Sequence, residues 1–158
     1  FSPEDVKGMY KRIILELQKR GYEWELFTNG MAQDELFGME ILNDMGLDKK
    51  RYKKRCVKSG RQLVKRIAGY RGVIASRLHA NILATSLRVP SIGLVWNDKM
   101  NLFADAIDAR ERYLSGKQLL DASDIVNRFV CAEEEGYCEP QIDAMKMATE
   151  ETIRNILL

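Results

Sequence analysis

Two short apolar runs constrain this chain more than any other feature: Val73-Ile74-Ala75 and, just after Pro90, Ser91-Ile92-Gly93-Leu94-Val95-Trp96. Neither alternates apolar with polar residues, so each reads as a strand buried on both faces, as in a parallel sheet. Residues 79–87 between them are nearly all apolar or small, which reads as a helix packed on that sheet. Elsewhere the same alternation recurs. Ser2-Pro3-Glu4-Asp5 is a helix start, with Ser2 as N-cap, Pro3 at the first helical position and acids in the first turn. Val6, Met9, Tyr10, Ile13, Ile14 and Leu17 follow at helical spacing, and Gly21 ends the helix. Residues 22–28 are expected to form a short strand rich in aromatics, closing at Asn29-Gly30. A helix over 33–45 is expected to turn Leu36, Phe37, Ile41 and Leu42 inward and to stop at Gly46. Further expected elements are a short strand near 55–57 and a helix over 62–68 with Leu63, Val64 and Ile67 on one face. A helix near 99–107, an edge strand at 112–114, and closing helices over 122–131 and 140–158 complete the pattern. Ile142, Met145, Ile153, Ile156 and Leu157 form the apolar face of the last helix. The expected fold class is α/β: a mostly parallel sheet, with 73–75 as its central strand and helices on both faces.

Composition supports a folded domain. Hydrophobic residues make up 46% and charged residues 30%, too apolar for a disordered chain, and no run approaches the ~18 apolar residues of a membrane helix. A chain opening on Phe1 rather than Met is expected to be a domain cut from a longer protein. Net charge is only +2 but is unevenly placed. Residues 49–66 hold ten Lys or Arg and no acid; residues 121–151 hold nine acids and two bases. The basic run reads first as a solvated surface. Its functional reading is attraction to an anionic glycan, lipid headgroup or nucleic acid. Nucleic acid fits least, because only Tyr52 interrupts the run and no stacking aromatics accompany it. Cys56, Cys131 and Cys138 are odd in number with no CxxC, which fits a reducing compartment better than a disulfide framework. Together with the lone His79 they match no zinc spacing.

Ligands of parallel sheets bind beyond the carboxyl ends of the strands, which singles out the loops after Thr28, Ala75 and Val95. The loop after Ala75 reads Ser76-Arg77-Leu78-His79-Ala80-Asn81 and leads into a helix. The first N–H groups of that helix favour an anion, and Arg77 adds a planar, permanent cation suited to phosphate or carboxylate. His79 is the only imidazole in the chain and exchanges protons near neutral pH. Lys99, after the second strand, would lie beside that loop if the two strands are neighbours. The bland alternatives are a structural histidine, a surface ion pair, a solvated lysine and, for Asn29-Gly30, a plain turn.

The stretch VIASRLHANILATSLRVPSIGLVWNDKMNLF (residues 73–103) resembles the signature of the polysaccharide pyruvyl transferase family. That signature has an RLHA box after a buried strand, a small-residue helix, a VP step into a strand, then a lysine before a helix bearing Phe. Leu26–Gly30 (LFTNG), Gln33-Asp34 and LVKRI at 63–67 are also similar, so the resemblance covers most of 22–107. Asp98 departs from it, since many members carry proline before the lysine. The resemblance implies a GT-B-like enzyme of two Rossmann-like halves. This chain would be the carboxyl-terminal half, with an N-terminal domain as its partner. It implies transfer of pyruvyl from phosphoenolpyruvate to a sugar of a bacterial cell-surface polysaccharide as a ketal, on a lipid-linked saccharide or polysaccharide acceptor. Carried over by motif, Arg77 and His79 match the box associated with the donor site, and Lys99 matches the downstream lysine. The expected catalytic pair is Arg77 and His79, the expected substrate-binding residues are Arg77, Lys99, Asn29, Gly30 and Asn81, and no metal or cofactor is expected because the cations supply the charge. The implied location is the cytoplasm, with the basic run touching the inner face of the membrane. Two rivals remain: the nucleotide-sugar-binding half of a GT-B glycosyltransferase, and a non-catalytic α/β interaction module.

Overall fold

The computed structural model describes residues 2–137 and 139–157; the side chains at 149, 152, 153 and 155–157 lie outside that description. The described chain divides into two compact units. One is the chain up to Arg66 with Lys117–Asn127; the other is Ile67–Gly116 with the chain from Arg128 onward.

The first unit is built from helices. Helix α1 (Pro3–Lys19) starts on a capping box: the Asp5 N–H donates to Ser2 Oγ (3.2 Å), and the Ser2 N–H donates to Asp5 Oδ2 (2.8 Å). Met9, Ile13 and Ile14 form its buried stripe. It ends on Gly21 at φ +76°, where the N–H groups of Gly21 and Tyr22 return to the carbonyls of Gln18 and Leu17. Gly46 closes α2 (Ala32–Asp44) in the same way. Ile41 and Leu42 of α2 are buried, and Phe37 meets Tyr10 edge-on at 6.3 Å. Leu36, expected to face inward, is 58% exposed. It lies about 140° round the helix axis from Ile41, outside the buried stripe. Lys7 and Lys11 of α1 pair with Glu40 and Asp44 of α2.

The strand expected over 22–28 reduces to one parallel bridge, Leu26 with Lys53, and the strand expected at 55–57 is absent. Helix α3 (Lys49–Tyr52), a turn of helix capped by Asp48 inside the basic run, takes up the residues before Lys53. The pairing of 22–28 is therefore confined to that bridge, where Leu26 exchanges hydrogen bonds with the Tyr52 carbonyl and the Lys54 N–H, while Trp24 stacks on Tyr52 at 4.6 Å. Helix α4 (Gly60–Ile67) follows, with Leu63 and Ile67 buried and Val64 half-buried. Helix α7 (Ala122–Glu135) starts in this unit, where Arg20 donates to Asn127 (2.7 Å) and Ser123 (3.2 Å).

The second unit carries the sheet. Strands β1 (Val73–Ala75), β2 (Ser91–Leu94) and β3 (Tyr113–Leu114) run parallel in the order β1-β2-β3. The middle strand is therefore β2, not the 73–75 run, and β3 is the expected edge. All four residues of β2 are buried, so both of its faces are covered. Helix α5 (Leu78–Ser86) makes the crossover from β1 to β2, and α6 (Asp98–Ala106) leads on toward β3. Gly93 is required by close approach: a Cβ there would lie 2.3 Å from the Tyr113 ring. Gly72 stands equally close to Phe129 of α7. The last helix, α8 (Glu139–Leu157), covers this core at its start, where Ile142 is 3% exposed and Met145 packs on the Val95, Met100 and Tyr113 cluster. Arg88 holds Glu139 and Asp143 of that helix. The Ile153, Ile156 and Leu157 side chains lie outside the described residues. The fold is α/β with a small parallel sheet of Rossmann-like type. No helix among the described residues is long and apolar enough to cross a membrane.

Candidate functional site

Because β1 and β2 are parallel neighbours, with Ala75 opposite Gly93, the loops that leave them emerge at the same sheet edge. Arg77, His79, Asn81 and Lys99 all belong to this edge or to the helices that start there. The condition set for Lys99 is met.

Arg77 occupies the N-cap of α5, extended at φ −90° and ψ 121°, and gives the helix no side-chain cap. A Ser or Asp there would occupy the first amide protons. Here the Ala80 and Asn81 N–H groups return to the Arg77 carbonyl, at 3.1 and 3.3 Å. Arg77 is half-buried and His79 is exposed. Asn81 is fully buried. Its Nδ2 donates to the carbonyls of Ala75 and Arg77, both at 3.1 Å, which pins the strand end to the helix start. Its Oδ1 has no hydrogen-bond partner among the described residues.

The second loop is tied to the first. The Trp96 Nε1–H donates to the Ser76 carbonyl at 2.8 Å. Asn97 is the N-cap of α6, its side chain accepting from the Met100 N–H (3.3 Å). Asp98 then takes the first helical position, which also suits proline, so its departure from the family pattern leaves the turn intact. Lys99 follows, exposed in the first turn.

Asn29 and Gly30 belong to the first unit. Gly30 has φ +100°, its N–H donates to Thr28 Oγ1 (3.2 Å), and a Cβ would press the Val57 carbonyl at 3.3 Å. Glycine is required there for its conformation. The two residues line an open cavity of about 270 Å³ together with Val57, Lys58, Ser59, Gly60 and Leu63. Ser59 caps α4 by accepting from the Gln62 N–H (3.3 Å), and Gln62 Oε1 accepts from the Lys58 N–H (2.7 Å). Beside it, Glu35 accepts from Thr28 Oγ1 and pairs with Lys53. Burial pushes the Glu35 carboxyl up, but Lys53, Thr28 and the Arg66 charge outweigh it and hold Glu35 below the usual carboxylate range.

Neither the Trp96 link between the two loops nor the Ser59-Gly60 wall of the cavity is expected from the sequence pattern. A signal for the second existed: a serine three residues before Gln62 is a capping signature, masked by the surrounding charge. Cys56 and Cys131 are free thiols, while Cys138 lies outside the described residues. No cluster of three or more His, Cys, Asp or Glu able to hold a metal occurs among the described residues.

The model of one protein family, polysaccharide pyruvyl transferase, matches residues 11–98. No curated protein and no solved structure matches the chain. The match covers more than half of the residues, including β1, α5, β2 and the start of α6. It spans both the Arg77–His79 box and the Asn29-Gly30 loop. The chain therefore belongs to the polysaccharide pyruvyl transferase family.

Proposed function

We propose that this chain binds phosphoenolpyruvate as donor, as the carboxyl-terminal half of a two-domain enzyme that transfers pyruvyl to a saccharide. The observation that carries the reading is the start of α5. A cationic residue stands at its N-cap, no side chain caps it, and the chain's one imidazole follows in the first turn. Phosphoenolpyruvate has a carboxylate and a phosphate, so it needs cations and free amide donors. In this scheme Arg77 and the α5 N-terminus clamp one anionic group and Lys99 the other, while Asn81 holds the turn and Asn29 and Gly30 belong to the substrate-binding set. A sugar hydroxyl oxygen adds to C2 as C3 gains a proton, in place of the proton that hydroxyl gives up. A second hydroxyl oxygen then bonds to C2 as the C2–O bond to phosphate breaks, and its proton leaves with inorganic phosphate. His79 is the general acid or base for these transfers. The acceptor is a lipid-linked or polymeric saccharide, with the protein in the cytoplasm and the basic run of 49–66 at the membrane surface.

Calorimetric titration tests the donor assignment. Phosphoenolpyruvate is expected to bind wild type and to lose most of its affinity in Arg77→Ala. Binding of UDP or GDP instead would move the chain to the nucleotide-sugar class. Retention on heparin with no small-molecule binding would make it an interaction module. In the active enzyme, His79→Ala is expected to lower turnover about 10²-fold or more; unchanged turnover removes His79 from the mechanism.

A further inference from the structure

Trp96 is 65% exposed, although it follows the fully buried strand β2. Single exposed apolar residues are common and mean little by themselves. This one differs because its ring is held in place. The indole N–H is committed to the Ser76 carbonyl at 2.8 Å, so the ring is fixed between the residue before Arg77 and the helix start that carries Lys99. A large, flat π-face is therefore presented to solvent at the sheet edge where the anion-binding groups emerge. Phosphoenolpyruvate is too small and too polar to use that face. A pyranose ring is the reverse. It is neutral, and one side is a patch of C–H groups that complements the negative π-face of an indole, while hydroxyls project around its rim. The two residues after Trp96 are polar, Asn97 and Asp98, and Asp98 is exposed and able to hydrogen-bond such hydroxyls.

We propose that Trp96 is the stacking platform for the acceptor, seating a pyranose ring beside the donor groups, and thus a specificity-determining residue. The assignment rests on the pyruvyl-transfer reading for the acceptor's role, and on Trp96 itself for the sugar's position. The test uses fluorescence, since the chain has two tryptophans. In a Trp24→Phe variant the emission reports Trp96 alone. It is titrated with the methyl pyranosides of glucose, galactose and mannose, and separately with phosphoenolpyruvate. Calorimetry on Trp96→Ala and Trp96→Tyr, in an otherwise native chain, repeats the glycoside titrations without depending on the Trp24 variant. The expected result is a saturable change in Trp96 emission with at least one glycoside. Glycoside affinity should fall about tenfold in Trp96→Ala, the order that loss of an aromatic face costs, and largely return in Trp96→Tyr, while phosphoenolpyruvate affinity stays unchanged. The proposal is overturned if no glycoside alters the emission, or if Trp96→Ala binds glycosides as well as wild type. It is also overturned if Trp96→Ala lowers Tm together with both affinities, the mark of a packing position. If phosphoenolpyruvate fails to bind while a glycoside still titrates Trp96, the donor assignment falls and the platform stands.

Discussion

Replacing Gly93 by alanine tests the parallel pairing on which the sheet edge depends. Gly93 lies opposite Ala75 on one side and Tyr113 on the other. An added Cβ would sit 2.3 and 2.4 Å from two carbons of the Tyr113 ring. That ring is 4% exposed and meets Phe103 edge-on at 6.1 Å, so it has no free volume to swing into. Overpacking a core by one methyl costs about 1–3 kcal/mol, and a contact this short belongs at the upper end. Relief of glycine's strand entropy returns about 0.5–1 kcal/mol. The net expectation is a loss of about 2 kcal/mol, or ~4–8 °C in Tm for a chain of this size. Urea unfolding followed by circular dichroism measures it as a lower midpoint at unchanged slope. Removing the ring should relieve the clash: Gly93→Ala with Tyr113→Leu should be more stable than the two single losses summed, by about 1 kcal/mol or more. A Gly93→Ala protein within ~0.5 kcal/mol of wild type would refute the reasoning, because Tyr113 would then not lie over Gly93 and β2 and β3 would not pair in this register.

Two further outcomes concern the first unit. Glu35→Gln leaves the Lys53 ammonium with a neutral partner and is expected to cost about 1–3 kcal/mol, read as a lower urea midpoint. The Glu35 carboxyl is depressed in the folded state, so its contribution is complete above about pH 5 and is lost as pH falls through the folded value. Tm should therefore fall less steeply with acid in Glu35→Gln than in wild type, and parallel curves would contradict the pairing. Ser2→Ala removes the hydroxyl that accepts from the Asp5 N–H and is expected to cost about 1 kcal/mol of stability by thermal melting; no change would mean the capping box is not formed in solution.

What could be read from the sequence follows the range of the forces involved. The α1 start, the Gly21 and Gly46 stops, and the runs at β1 and β2 are local signals, set by side-chain caps, backbone φ and continuous burial, and each lies within about a residue or two of its expected place. The stretch 22–28 has the composition of a strand, but a strand needs a partner, and α3 leaves it only Lys53. Leu36 is apolar and within reach of the core in sequence, yet lies on the outer side of its helix. The placement of Arg77, His79 and Lys99 beyond the ends of β1 and β2 was legible because the apolar runs that form those strands are local signals. The Trp96–Ser76 bond was not legible, because it joins residues twenty apart with no pattern between them.

Asn81 commits both of its amide hydrogens to main-chain carbonyls, one at the end of β1 and one at the Arg77 bend. The backbone of that corner is therefore set before any guest arrives. Ordering a free loop would cost each residue about 1–2 kcal/mol in lost freedom, and here that cost was met when the polypeptide folded. An anion held there, as proposed, would meet a main chain already in place and would have only the surrounding side chains to order.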